Sequence, residues 1–295
     1  MNNEFKPFHM NAHQDDFVGN NGVGRYILLP GSDGRAKQLA EHFDGLQVKN
    51  HARGHNLYIG TIQNGKNKID VATISSGMGC PSMEIILHEL FHLGGKRFLR
   101  IGTAGSLQPE QVKIGDLINA QAAVRDENTT IDYAPLSFPA VASLEFNLAV
   151  LSAAQRLNMN VPLHTGIVHC KSSFYAREFG AGPLSETNNQ FIELLMRYGV
   201  IASEMETSAL FIQSNHYNHL LKQQGKGKNF QVLSGAILGI LAYALPPYQF
   251  GTPHDERALT GNLISLGLET IRVLATQENT DTDSPSFFPL AAVGT

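Results

Sequence analysis

The feature that most constrains the fold is a repeated unit in which an apolar strand ends at a glycine-rich turn that opens a helix. Arg25 to Gly31 forms the first apolar segment, and Ser32-Asp33-Gly34-Arg35 follows it as a helix start. Lys68 to Ser76 alternates like a second strand and leads into Gly77-Met78-Gly79 before an apolar-periodic helix. Strands that alternate with helices in this way predict a three-layer α/β/α sandwich with a mixed central sheet.

The rest of the chain continues this alternation. At 295 residues it is long enough for one large α/β domain, and no low-complexity linker divides it, so we expect a single domain over residues 1–275. Residues 276–295 are rich in Thr, Asp, Ser and Pro, which predicts a disordered tail or an arm that packs on a neighbour. Further strands are predicted near 116–124, 164–169, 201–205 and 232–238, and helices at 83–93, 144–157, 189–198 and 256–275.

The stretch from Arg97 to Ser106 gives the first indication of a ligand. A strand that is buried on both faces should be apolar throughout, so Arg100 needs a strong partner or must point out at the strand end. Gly102 and Gly105 let backbone amides approach a ligand, and the Thr103 hydroxyl adds a donor. This grouping suits phosphate or a carboxylate, whereas the plainer interpretation is a surface arginine before an ordinary turn. Because ligands bind where strands end, we expect the three glycine-bearing strand ends to converge.

Composition excludes several classes of function. A net charge of -4 with no long basic run argues against nucleic acid as the main partner. Cys80 and Cys170, which are the two cysteines of the sequence, lie far apart and form no CxxC pattern, which disfavours a disulfide framework or a thiolate metal site. No charged-then-apolar leader is recognisable and no apolar run reaches membrane-spanning length, so the expected setting is the cytoplasm, with no membrane partner.

A zinc-protease signature is present but lacks its usual context. His88-Glu89-Leu90-Phe91-His92 matches H-E-x-x-H, in which two imidazoles one helical turn apart bind zinc. Gly95 fits the longer form of the motif, but Phe98 occupies the position of the third ligand. Glu110 follows a strand and a turn rather than lying on a helix. We therefore expect no metal, and a zinc peptidase remains the least favoured alternative.

Six blocks of residues stand out together along the chain. They are Phe8-His9, Pro30 to Arg35, Gly77 to Ser82, Arg97 to Ser106 with Gly115-Asp116, Tyr133 to Leu136 with Phe138 to Val141, and Glu204-Met205-Glu206. In this order, and over nearly all of His9 to about Ala275, they closely resemble uridine phosphorylase, within the broader nucleoside phosphorylase superfamily. The resemblance implies a three-layer α/β fold and a homo-oligomer, usually a hexamer built as a ring of dimers, whose active sites borrow residues from a neighbouring subunit.

Phosphorolysis of an N-glycosidic bond needs a clamped phosphate, fixed ribose hydroxyls and a stabilised leaving base. The resemblance implies that Arg100 and Glu206 are the catalytic residues and that Glu206 accepts the ribose hydroxyls. The plainer interpretations are a first-turn glutamate at Glu206 and a mobile terminal histidine at His9. By resemblance, phosphate is bound by Gly31, Arg35, Arg100, Thr103 and the partner's Arg53, and ribose by Met205, Glu206 and the partner's His9.

The base pocket departs from the family pattern. The glutamine and arginine that read the pyrimidine in the family are missing at the expected spacing after Phe174-Tyr175, where Arg177 and Glu178 follow instead. Ile240 lies where the uridine enzymes place an arginine and the hexameric purine enzymes an acidic group. Candidate base-binding residues are Phe174, Arg177, Glu178 and Ile240, and the base itself stays open. The family's monovalent-cation site is doubtful, because Gly54-His55 replaces its glutamate.

The sequence therefore predicts a pentosyltransferase that cleaves a nucleoside with inorganic phosphate into a free base and (deoxy)ribose 1-phosphate. This activity would serve nucleoside catabolism and, for a uridine substrate, pyrimidine salvage. Inorganic phosphate is the co-substrate, and no further cofactor is expected. The main alternative is a noncatalytic descendant that binds nucleosides or phosphate esters, and a purine nucleoside phosphorylase is a second one.

Overall fold

The computed structural model describes residues 5–225 and 231–280, and it has the mixed α/β architecture that the strand and helix alternation predicts. Within these residues, a mixed sheet is formed by β1 Tyr26–Pro30, β2 Asp44–Lys49, β3 Leu57–Asn64, β4 Asn67–Thr73, β5 Arg97–Ser106, β6 Leu117–Asp126, β7 Ala140–Val141, β8 Leu163–Lys171, β9 Ala202–Glu204, β10 Leu233–Tyr243 and β11 Gln249–Phe250. The helices are α1 Asp33–Ala40, α2 Cys80–His92, α3 Leu144–Arg156, α4 Phe174–Glu178, α5 Ser185–Arg197, α6 Thr207–Gln223 and α7 Pro253–Thr280.

Strand β5 is the centre of the sheet and pairs with three neighbours. It runs parallel to β1 on one side and to β10 on the other, and its end pairs antiparallel with β9. β1 is in turn parallel to β4. The carboxyl ends of β4, β1, β5 and β10 therefore lie at one edge of the sheet, which is where the turns at Gly31 and Gly77 and the Gly102 to Gly105 stretch lie. The predicted convergence of three strand ends follows from this topology.

Two hydrophobic clusters fill the space on opposite faces of the sheet. One joins α2 and α6 to residues such as Phe98 and Ala104 of β5, and the other joins α1, α3 and α7 to Leu99 and Ile101 of the same strand. Side chains that alternate along β5 thus enter different clusters, as expected for a strand buried on both faces. The three-layer α/β/α sandwich is confirmed.

Several boundaries differ from the sequence prediction. The strands β2 and β3 were not predicted, and the loop between them carries Arg53. Helix α7 continues past residue 275 to Thr280, into the segment predicted as a tail, and Glu278 there forms a buried ion pair with Arg97. Residues 281–295 lie outside the described residues. In the part of the chain that the structure describes, no helix is both long and apolar enough to cross a membrane.

Candidate active site

Arg100 lies at the centre of a buried cluster of charges. Its Nε donates to Glu204 Oε2 at 3.2 Å, and its Nη2 donates to Glu206 Oε2. All three side chains are almost completely buried. Removing a guanidinium from water costs on the order of several kcal/mol. A buried ion pair recovers this cost only when its geometry is good. The strong partner that the sequence demanded for Arg100 is therefore a pair of carboxylates.

Glu204 and Glu206 are held by the end of one element and the start of another. Glu204 ends β9, and its carboxylate accepts hydrogen bonds from the backbone amides of Glu206 at 2.9 Å and Thr207 at 3.0 Å, where α6 begins. Glu206 Oε1 accepts from the Gly79 amide at 2.5 Å. Burial alone would raise the pKa of Glu204, but Arg100 and the two amides hold it below its ordinary value. Burial raises the pKa of Glu206, although the Arg100 charge opposes the shift.

A second arginine lies beside this cluster. Arg35 is in the first turn of α1, and its Nη1 lies 3.4 Å from the Ile101 carbonyl oxygen. Burial and then the positive charge of Arg100 lower the pKa of Arg35. The Nη1 atom of Arg100 is buried and has no hydrogen-bond partner among the described residues. A buried cationic donor without an acceptor, next to a second guanidinium, is an arrangement that an anion would complete.

The backbone at this edge gives the cluster its room. A Cβ atom on Gly102 would lie 2.8 Å from Arg100 Nη2 and 2.7 Å from a methyl carbon of Leu238, so a larger residue would push the guanidinium away from Glu206. Thr103 is half-buried on the next position of β5. Gly31 immediately precedes the Ser32 cap of α1, at a helix N-terminus that favours negative charge. The structure thus brings Gly31, Arg35, Arg100, Thr103 and Glu206 to one edge of the sheet.

The residues that the resemblance assigns to a neighbouring subunit share a different, exposed surface. Arg53 lies over the ring of Phe8, with its Cζ 5.9 Å from the ring centroid, and Phe8 is 72% exposed. His9 follows Phe8, and its Nδ1 lies 2.7 Å from Glu89 Oε1. Within the described chain, neither Arg53 nor His9 forms a hydrogen bond or ion pair with Arg100. Both instead contact Phe8, with Arg53 exposed and His9 half-buried against Glu89.

The H-E-x-x-H sequence anchors the N-terminal segment. Glu89 is buried and accepts hydrogen bonds from the backbone amides of Phe8 at 2.9 Å and His9 at 3.0 Å. The His88 and His92 rings lie 4.3 Å apart and both contact Tyr217. Among the described residues, no three His, Cys, Asp or Glu side chains are grouped so that they could hold a metal. The glutamate that a peptidase would use as its base is committed to backbone amides.

The candidate base-binding residues lie in three different environments. Phe174 is partly exposed at the start of α4, whereas Ile240 is fully buried in the hydrophobic cluster that contains α2 and α6. Arg177 donates to Asp126 and to Asn188 at 2.7 Å, and it stacks on Phe191. Glu178 turns inward and forms a buried ion pair with Lys171.

Met205, the candidate for packing against the ribose, is half-buried next to Glu206. Its backbone carbonyl oxygen lies 3.2 Å from Cys80 Sγ.

Two buried charged residues were given no role by sequence reasoning. Glu204 was named only as part of the Glu204-Met205-Glu206 block, but it binds Arg100 through a contact that spans 104 positions of sequence. Lys171 was not considered at all. A charged residue at the end of a strand was the available signal, since the same argument identified Arg100.

Comparisons with known proteins place this site in a context. Residues 25–221 match the family described as the phosphorylase superfamily. The chain is 31% identical over 258 residues to a uridine phosphorylase of Treponema pallidum (strain Nichols), covering 87% of this chain and 92% of that one. It is 34% identical over 198 residues to a uridine phosphorylase of Thermococcus kodakarensis, covering 66% and 69%. It is also 32% identical over 248 residues to a DeoD-type purine nucleoside phosphorylase of Streptococcus suis, covering 83% and 92%.

Proposed function

The chain belongs to the phosphorylase superfamily, and from this premise we propose that it cleaves a nucleoside with inorganic phosphate to give a free base and (deoxy)ribose 1-phosphate. The observation that carries the proposal is the buried Nη1 of Arg100, which lacks a partner in the part of the chain that the structure describes, while two carboxylates bind the rest of that guanidinium. A phosphate oxygen placed there completes the hydrogen bonding of Arg100, and Arg35 supplies a second cation.

The proposed reaction uses the groups that lie together at this edge of the sheet. Arg100, Arg35, the Thr103 hydroxyl and the Gly31 amide hold phosphate below the sugar, where one of its oxygens forms a bond to C1′. The bond from C1′ to the base nitrogen breaks, and its electron pair leaves with the base. Glu206, as the carboxylate, accepts the ribose 2′- and 3′-hydroxyls and stabilises the positive charge that develops on the sugar. Inorganic phosphate is the co-substrate that this scheme requires.

We propose that each site is completed by a second copy of the chain, in a hexamer built from dimers. Support comes from the exposed Phe8 and Arg53 and the half-buried His9, which lie together at the subunit surface, where Glu89 holds the backbone of Phe8 and His9. Met78, next to the glycine that binds Glu206, is 86% exposed as well. An arginine presented in this way can reach the phosphate of a neighbour.

The free, buried thiols of Cys80 and Cys170 support a reducing compartment such as the cytoplasm.

The test is a phosphorolysis assay with purified protein and a panel of pyrimidine and purine nucleosides, with and without inorganic phosphate. We expect base and pentose 1-phosphate to appear together and only when phosphate is present. Purines belong in the panel because relatives of both kinds align over most of the chain.

Two outcomes would replace the proposal. Base release at the same rate without phosphate would indicate a hydrolase. Tight nucleoside binding without cleavage, in folded and oligomeric protein, would indicate a noncatalytic binding protein.

A further inference from the structure

A second buried ion pair lies close to the Arg100 cluster and has no part in the phosphate or ribose contacts. The Lys171 ammonium at the end of β8 is paired with the Glu178 carboxylate at the end of α4, and their side chains are 1% and 2% exposed. Ser203 joins them, because its hydroxyl lies 2.8 Å from Lys171 Nζ and 3.0 Å from Glu178 Oε2. Removing two charges from water is costly, so stability alone does not explain a buried ion pair at this position.

The pair lies beside the substrate site along two strands. Glu178 Oε1 would be 2.9 Å from a Cβ atom on Gly105, so the glycine makes room for the carboxylate. Gly105 is two positions after Thr103 on the same face of β5, a separation of about 7 Å along a strand. Ser203, which pairs with Gly105, immediately precedes Glu204. A pentose spans about this distance, so a base carried by a sugar bound between Thr103 and Glu206 would lie toward the ion pair.

The surroundings of the pair also suit a flat ring. Lys171 Nζ lies 5.7 Å from the centre of the partly exposed Phe174 ring, which can stack on a base. On the other side, Ser203 Oγ lies 3.1 Å from His169 Nδ1, and His169 Nε2 lies 2.9 Å from Asp126. Arg177 closes this chain by binding Asp126. Arg177 therefore fixes the network that positions the pair, while Glu178 lies at Gly105 and Lys171 is bound to Glu178.

We propose that Lys171 and Glu178 recognise the base by a lactam edge, a ring carbonyl next to a ring N–H, and this proposal rests on the proposed phosphorolysis. Lys171 is only a donor and an ionised Glu178 is only an acceptor, so the carbonyl oxygen binds Lys171 and the N–H donates to Glu178. An amino-substituted base in the same orientation presents an amino group to the ammonium and a ring nitrogen without hydrogen to the carboxylate. Uracil and hypoxanthine fit the pair, whereas cytosine and adenine do not.

The same pair stabilises the leaving group. When the C1′–N bond breaks, the electron pair that departs with the base spreads onto its carbonyl oxygen. The Lys171 ammonium bound to that oxygen offsets the new negative charge without a proton transfer. No polar group is therefore needed at positions 239 and 240. Gly239 is packed against Leu259 and Ile240 lies in the core, so neither supplies a polar group to the base.

The experiment compares two matched pairs of substrates, uridine with cytidine and inosine with adenosine, in the phosphorolysis assay. We expect kcat/KM to favour the lactam member of each reactive pair by at least about 100-fold, because an unpaired buried group is strongly rejected. Glu178→Gln and the neutral double variant Lys171→Gln/Glu178→Gln should lower kcat/KM for the lactam nucleoside by about 10- to 100-fold. Stabilisation of each variant by inorganic phosphate alone reports that the fold and the phosphate site are intact.

A matched control is the double variant Arg97→Met/Glu278→Gln, which removes a buried ion pair at the opposite end of β5 and should keep the substrate preference. Equal cleavage of both members of each pair would overturn the lactam assignment and leave the proposed phosphorolysis standing. An unchanged preference in the neutral double variant would also overturn it. Failure of the wild-type protein to cleave any nucleoside would instead overturn the proposed function.

Discussion

Arg100 and Glu206 form a buried ion pair that leaves one terminal nitrogen of the guanidinium, Nη1, without a partner within residues 5–225 and 231–280. The pair links the group proposed to hold phosphate to the group proposed to hold the ribose. One planar guanidinium binds Glu206 and, in the proposed complex, the phosphate. A single side chain therefore sets the positions of the phosphate and of the nucleoside.

Replacing Arg100 with lysine should keep the charge and lose this link. An ammonium cannot serve Glu204, Glu206 and a phosphate oxygen in one plane, so we expect the phosphate-dependent kcat/KM to fall about 100- to 1,000-fold. Steady-state assays at varied phosphate concentration measure the change. Arg197→Lys on the exposed face of α5 is the control and should be neutral. Full activity in Arg100→Lys would contradict the bridging role.

Gly102→Ala should disrupt the site through one methyl group. The new Cβ atom would lie 2.8 Å from Arg100 Nη2, so the guanidinium must shift away from Glu206. We expect a loss of phosphate-induced stabilisation, measured by thermal unfolding with and without phosphate. Gly261→Ala in α7 meets nothing within 4 Å and should instead raise stability by about 0.5 to 1 kcal/mol. Equal phosphate responses in both variants would contradict the packing argument.

Acid should destabilise the fold partly through Glu204. Its pKa is held below the ordinary value, because Arg100 and two backbone amides offset the cost of burial. The ionised carboxylate therefore stabilises the folded state above the ordinary pKa of glutamate, and this contribution is lost as the pH falls below about 4 through the lowered pKa. Glu204→Gln should be less stable by about 3 kcal/mol at neutral pH and lose less stability in acid.

Denaturant unfolding of both proteins between neutral and acid pH checks this expectation. The raised pKa of Glu206 acts in the opposite sense, since the stability it contributes is present at low pH and lost as the pH rises through the raised value. Glu206 is present in both proteins, so the difference between the two pH profiles reports on Glu204. Parallel profiles would contradict its role.

Mixed oligomers test whether Arg53 serves a neighbouring subunit. Arg53→Ala and Glu206→Gln should each be nearly inactive, and a mixture reassembled from the two should recover about a quarter of the wild-type activity, because half the dimers are mixed and each has one intact site. Activity is measured before and after subunit exchange. A mixture that stays as inactive as its components would show that Arg53 and Glu206 act within the same subunit.

Glu89→Leu should weaken nucleoside binding, and this effect should not depend on a metal ion. Loss of the carboxylate frees the amides of Phe8 and His9 that it now binds, so His9 is no longer held for the proposed ribose contact. We expect KM for the nucleoside to rise about 10-fold, a loss of about 1.4 kcal/mol of binding energy. Chelator should leave wild-type activity unchanged. Zinc-dependent cleavage of a peptide substrate by the wild-type protein would support the peptidase alternative instead.

Much of the fold could be predicted because its signals are local. The apolar runs at Arg25 to Gly31 and Lys68 to Ser76 needed neighbouring strands, and the glycines after them fixed where the chain turns. The hairpin β2–β3 was missed because β2 is exposed and its apolar alternation is limited to Leu46 and Val48, so the buried run of β3 was not matched to a partner. The start of the predicted tail proved to be helix because Glu278 is paired with Arg97, a contact between residues 181 positions apart.

The sequence by itself determined the alternation of strands and helices, the glycine turns at the strand ends, and the need of Arg100 for a strong partner. Only the tertiary structure decided that the partners are Glu204 and Glu206, that Glu89 holds the N-terminal segment, and that Lys171 faces Glu178. Periodicity reports which face of an element is buried. The choice among several carboxylates for one buried cation depends on which strand ends meet, and that is set by packing across the whole sheet.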